Sequence, residues 1–158
     1  MDTTNQINPV SPDREIVSTR IFNYSRELVF NAWTDPNRLK NWWGPKGFTN
    51  TFHEFDLRPG GKWSFIMHGP DGVNYPNESI FVEILKPELI VFNHVTNPKF
   101  QIVATFKEIL EDHTIVTFRM IFATSELCSH VKTYAVEKNE ENFDRLEAEL
   151  RKDEFLYI

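Results

Sequence analysis

A chain of 158 residues, 41% hydrophobic and 14% aromatic with 14 phenylalanines, is long enough for one domain around a single sizeable core. Its 23 acidic against 17 basic residues give a formal charge of −6 without a basic block, which argues against nucleic acid as a partner, because phosphate contacts need clustered Lys and Arg. No run approaches roughly 18 apolar residues, the N-terminus lacks a charged-then-apolar leader, and the lone Cys128 excludes an internal disulfide framework; a cytoplasmic protein with no membrane contact is expected.

Residues 1–13 are polar and read as a flexible tail, leaving 14–153 as a single domain. Alternation over 14–23 predicts a first strand. From 25 to 34 the period changes: Leu28, Val29, Ala32 and Trp33 fall at helical spacing, with Asn23 or Ser25 as N-cap. Asp35 and Pro36 then open a second short helix whose apolar face is Leu39, Trp42 and Trp43. Gly44, Pro45 and Gly47 break it. Strands are expected at 48–57, 62–68, 78–85, 89–96, 100–110 and 114–123, joined by short Gly, Pro, Asn or Asp turns such as Arg58-Pro59-Gly60-Gly61. That spacing suits antiparallel hairpins rather than crossover units. Phe100, Ile102, Ala104 and Phe106 share one face of their strand, as do Val116, Phe118, Met120 and Phe122 of the next.

A face of that kind needs a cover. Residues 124–134 suggest only a turn of helix and a bend. Beyond them Ala135, Asn139, Phe143, Leu146 and Leu150 recur at three and four, with Glu141–Arg145 and Glu147–Arg151 as outward i,i+4 pairs. A helix over 136–151 spans about 24 Å and seven residues of strand about 23 Å, so this helix can lie along the inside of the sheet. The expected class is α+β: a curved antiparallel sheet of about seven strands around a long C-terminal helix, with two short helices after the first strand.

The order of these elements resembles the START-like, helix-grip proteins. Phe30-Asn31-Ala32-Trp33-Thr34-Asp35-Pro36, Trp42-Trp43-Gly44-Pro45, Asp56-Leu57-Arg58-Pro59-Gly60-Gly61 and Gly69-Pro70-Asp71-Gly72, with Asn139, Asn142 and Leu146 near the end, resemble the activator-of-heat-shock-protein-90-ATPase homologue branch. The resemblance covers roughly residues 14–150. It implies a deep, largely apolar cavity between sheet and helix, used in that superfamily for binding, for catalysis or for chaperone contacts. The eukaryotic co-chaperones carry a further N-terminal domain for which this chain leaves no space, so direct chaperone activation is not expected.

Candidate site residues divide into rings, amides and one acid–base pair. Trp42, Trp43, Phe52, Phe65, Met67 and Phe118 are expected to line the cavity, with Trp42 or Trp43 at its mouth. Asn139 takes a seam position of the long helix where Leu would be usual, and Asn142 lies one turn on; a buried amide there either bridges to the sheet or orients a ligand. His94 shares strand parity with Ile90 and Phe92, and Glu54 with Phe48 and Phe52, so both could face inward as a base and its partner, or be turned out by a bulge or bonded to backbone. The strand faces of His53 and His68 are open. His113 belongs to a turn, and Cys128 beside Ser129 and His130 makes no nucleophile motif. Neither glycine-rich turn matches a phosphate loop, and no histidine or cysteine spacing suggests a metal. A cofactor-free protein that binds a small hydrophobic or aromatic ligand is the leading expectation. A cyclase, dehydratase or hydrolase using the same cavity is the alternative, and a chaperone-interaction module the third. Oligomeric state is not legible.

Overall fold

The computed structural model describes residues 10–155. Most of the expected tail, residues 1–9, lies outside the described residues, and Pro12–Arg14 forms a short 3-10 turn leading into the sheet. Seven strands follow in chain order: β1 (Glu15–Phe22), β2 (Thr49–Phe55), β3 (Lys62–His68), β4 (Asn74–Leu85), β5 (Leu89–His94), β6 (Phe100–Leu110) and β7 (His113–Ile121). They form one sheet in the order β1-β7-β6-β5-β4-β3-β2, every neighbour antiparallel. Only β1 departs from a simple meander: it crosses to pair with the last strand, Ser18 opposite Phe118.

The crossing is made by α1 (Arg26–Thr34) and α2 (Pro36–Trp42). Ser25, not Asn23, caps α1, its hydroxyl accepting the Leu28 N–H at 3.2 Å, worth about 1 kcal/mol. Asp35 ends α1 and starts α2, its carboxylate accepting the Asn37 N–H at 2.9 Å with Pro36 in the first turn. Val29, Phe30, Ala32, Trp33, Leu39 and Trp42 are buried on these two short helices.

The long helix α3 runs from Ser125 to Phe155, 31 residues and about 46 Å. It therefore begins well before the expected 136. Thr124 supplies the cap, its hydroxyl accepting the Leu127 N–H at 3.1 Å. Cys128, Val131 and Ala135 then continue inward the stripe carried further on by Phe143, Leu146 and Leu150, all of them buried. At the first two of these places a small and a β-branched residue hide the period that larger ones declare downstream. Together with the inner faces of β3 to β7 they make one core, so α3 lies in the hollow of the sheet. This is the helix-grip arrangement, α+β, that the sequence resembles. No helix among the described residues is long and apolar enough to cross a membrane.

The two outward ion pairs expected on α3 are not formed as such. Glu141 accepts the Lys46 N–H and Arg145 turns to a loop across the groove, while Glu147 lies 3.6 Å from Arg20. Near the end of α3, Arg38 reaches back from α2 to Glu149 at 3.2 Å and Asp153 at 3.1 Å, both carboxylates buried. This pins the short helices to the long one.

Candidate functional site

Inside the grip the side chains are mostly rings. Trp63 and Phe65 project inward from β3, stacked with centroids 4.6 Å apart, and Phe52 packs against both at 5.6 Å. Phe92 and Phe118 project from β5 and β7, and Trp33 from α1. Trp43 stands among them. Its ring centroid lies 5.1 Å from that of Trp63, 5.6 Å from Trp42, 5.7 Å from Trp33, 6.2 Å from Phe118 and 6.3 Å from Phe92.

The wide cavity that the resemblance implies is accordingly closed in this conformation. What remains is a void of about 10 Å³ lined by Trp33, Trp42, Trp43, Phe118, Asn139, Asn142 and Phe143, no more than one water molecule needs. The structure thus brings Trp42, Trp43, Phe118, Asn139 and Asn142 together around this small void. Phe52 and Phe65 belong to the adjoining wall. Met67 lies further along β3, half-buried against the core. Trp42 is a wall and not a mouth residue: only 1% exposed, its indole N–H donates to the Ala32 carbonyl at 2.9 Å.

Trp43 owes its position to local chain geometry. It caps the C-terminus of α2 in an extended conformation (φ −66°, ψ 131°), and Gly44 then takes φ +101°. Only glycine tolerates this readily, and a Cβ there would also meet the Met67 methyl at 2.9 Å. The chain reverses, and α3 holds the reversal. Asn142 donates from its amide nitrogen to the Trp42 carbonyl (3.1 Å) and accepts the Gly44 N–H (3.2 Å). Arg145 donates to the carbonyls of Asn41, Trp43, Gly44, Pro45 and Phe48 at 2.8–3.3 Å. Burial lowers its pKa from the ordinary arginine value. Asn142 is therefore engaged by the loop, and Arg145, read from sequence as an outer-face residue, is the central fastening. Only its place one turn beyond Asn142, facing the glycine-rich loop, could have signalled this.

Asn139 does face inward, half-buried, but its protein partners are distant: Ser18 Oγ at 3.4 Å and Met120 Sδ at 3.5 Å. In the same interior, the buried Trp33 Nε1, Trp63 Nε1 and Ser79 Oγ have no hydrogen-bond partner at all. A buried donor without an acceptor is costly, of the order of 1–3 kcal/mol.

The expected acid–base couple is not assembled. The β2–β3 pairing slips between Phe52 and Glu54, so the extra residue His53 reverses the parity beyond it. Phe55 turns inward and Glu54, like His53, is exposed. His94 does lie on the inner face, stacked on Phe100 with centroids 4.6 Å apart at the end of β5, but it does not line the void. Its Nδ1 meets the Pro98 carbonyl at 2.8 Å and its Nε2 meets Asn77 Oδ1 at 2.7 Å and Thr96 Oγ1 at 3.1 Å. Burial pushes its imidazole below the ordinary value, against the contrary pull of its backbone partners. His68 faces outward between Thr51 and Asn74. Cys128 is buried and its thiol raised by that burial, which leaves it unreactive. Among the described residues no three His, Cys, Asp or Glu side chains gather as a metal site.

The family described as Activator of Hsp90 ATPase homolog 1-like protein matches residues 23–151. This chain is a member of that family. Among solved structures it is similar to a protein from Nitrosomonas europaea (20% identity, TM-score 0.84, 92% of this chain and 99% of that one). It is also similar to one from Mycobacterium smegmatis (24% identity, TM-score 0.76, 86% and 90%). A third, from Silicibacter pomeroyi, carries the same family name (18% identity, TM-score 0.72, 88% and 99%). At these identities the likeness establishes the fold. Among curated proteins no sequence matches.

Proposed function

We propose that this member of the Activator of Hsp90 ATPase homolog 1-like family binds a small, flat, apolar molecule between the sheet and α3. The observation that supports this most is the makeup of the residual void: five aromatic side chains converge on it beneath the α2–β2 loop with two carboxamides, of which Asn142 is taken up by the loop and Asn139 has only distant partners. Small-molecule sites have this makeup, an apolar lining with a few placed polar groups. A core evolved for packing alone would put an aliphatic residue where Asn139 stands, since a poorly paired, half-buried amide weakens it. Catalysis is the weaker reading, because Glu54 is on the outside and His94 is held by three partners and does not line the void.

The test is thermal unfolding of the protein with a panel of flat aromatic compounds, beside native mass spectrometry for retained molecules. A ligand at 100 times its dissociation constant stabilises the folded state by about 2.7 kcal/mol, which for a chain of this size raises Tm by roughly 5–10 °C. No retained mass and no member of the panel raising Tm would defeat the proposal.

A further inference from the structure

Granted that a small aromatic molecule binds between the sheet and α3, a premise this inference depends on, the structure also indicates what opens the site and which ligand chemistry it takes. Trp43 is supplied by neither a helix nor a strand. It comes from the junction between α2 and Gly44, it is half-buried where Trp33, Trp42 and Trp63 are all but fully buried, and its ring touches five others. The loop it belongs to is held to α3 through its backbone carbonyls, by Asn142 and Arg145. A ring on such a junction can swing out by rotation of the backbone at Gly44, with water replacing whichever of these carbonyl bonds is given up, whereas a buried wall ring does not leave.

The rings of Trp33 and Trp63, which flank Trp43, both carry buried indole N–H groups with no acceptor. Trp43 can fill the volume between them, but an indole offers only another donor and no lone pair to meet theirs. We propose that Trp43 is a built-in occupant of the ligand site, and that the true ligand is a flat aromatic molecule of about two fused rings bearing a hydrogen-bond acceptor. The ligand displaces the Trp43 ring through rotation at Gly44 and pairs with the N–H of Trp33 or Trp63.

Quinoline, which carries a ring-nitrogen acceptor, and indole, which is of similar size and carries only a donor, are the probes. The protein is labelled with 5-fluorotryptophan, and the Trp43 ¹⁹F resonance is assigned by its absence from Trp43→Phe. Quinoline is expected to move that resonance to a solvent-exposed position and to bind about fivefold more tightly than indole, one net hydrogen bond's difference. Trp43→Ala, or Trp43→Leu if the alanine variant does not fold, is expected to bind quinoline at least about tenfold more tightly than the wild type, because no ring has to leave first. Quinoline binding with the Trp43 resonance unmoved, or with no gain in the Trp43 variant, overturns the displacement while leaving ligand binding in place. Indole binding as tightly as quinoline overturns the acceptor requirement. Failure of the wild type to bind either probe, or any of the aromatic panel, overturns both this inference and the reading beneath it.

Discussion

Replacing Arg145 by alanine removes the fastening of the α2–β2 loop, and its cost can be worked from the contacts. The guanidinium reaches five carbonyl oxygens, of Asn41, Trp43, Gly44, Pro45 and Phe48, at 2.8–3.3 Å. Three of these face Nη1, which has two hydrogens, so four bonds of good quality is the ceiling. At about 1.5–3 kcal/mol for each bond to a charged donor the gross loss would exceed 6 kcal/mol. Two effects reduce it. Arg145 gave up hydration to reach its place, which its lowered pKa records, and several of the released carbonyls sit in a loop that water can enter. A net loss of about 2–4 kcal/mol is expected. Urea unfolding followed by circular dichroism measures it as a lower midpoint at unchanged slope. Arg145→Lys, with a compact ammonium in place of a fork, should recover less than half of the loss. An alanine variant within about 0.5 kcal/mol of the wild type, or a lysine variant equal to it, would refute the reasoning.

Two further outcomes are expected. His94 is held below its ordinary value, so the unfolded chain takes up this proton first as acid is added; His94 therefore contributes stability above the ordinary value of 6.5 and loses it as pH falls through the lower folded value. Its ring-proton NMR titration should show a midpoint under 6.5, and a midpoint above that would mean a charged ring bridging Pro98 and Asn77. A Cβ at Gly61 would stand 1.9 Å from the Asp56 carbonyl oxygen, whereas one at Gly60 meets nothing within 4 Å. Gly61→Ala should thus cost about 2–4 kcal/mol in urea unfolding and Gly60→Ala only the roughly 1–2 kcal/mol of its left-handed backbone; equal losses would contradict the close approach.

Much of the fold was legible because large side chains declared it. The ends of α1, α2, β3 and β6 follow from caps, prolines and alternating rings, and the inward stripe of Phe143, Leu146 and Leu150 announced the part of α3 that it occupies. The first third of α3 was not legible, since Cys128 and Val131, one small and one β-branched, carry the inward stripe there without declaring a helical period. The site was legible as a set of residue types and not as a geometry. One inserted residue, His53, was enough to carry Glu54 to the outside, and parity arguments have no means of counting a bulge before it is seen. Arg145 escaped notice for a related reason: its partners are carbonyl oxygens, which every residue possesses and which leave no mark in a sequence.

All four tryptophans of the chain touch in one continuous, mostly edge-to-face cluster, Trp42 against Trp33 and Trp43, and Trp43 against Trp63. Excitation absorbed by any of them migrates among the rest, so near-ultraviolet emission from this protein is a lamp at a single address. It will register the parting of the long helix from the hollow of the sheet, and it will stay dark to fraying of the first strand along its outer border.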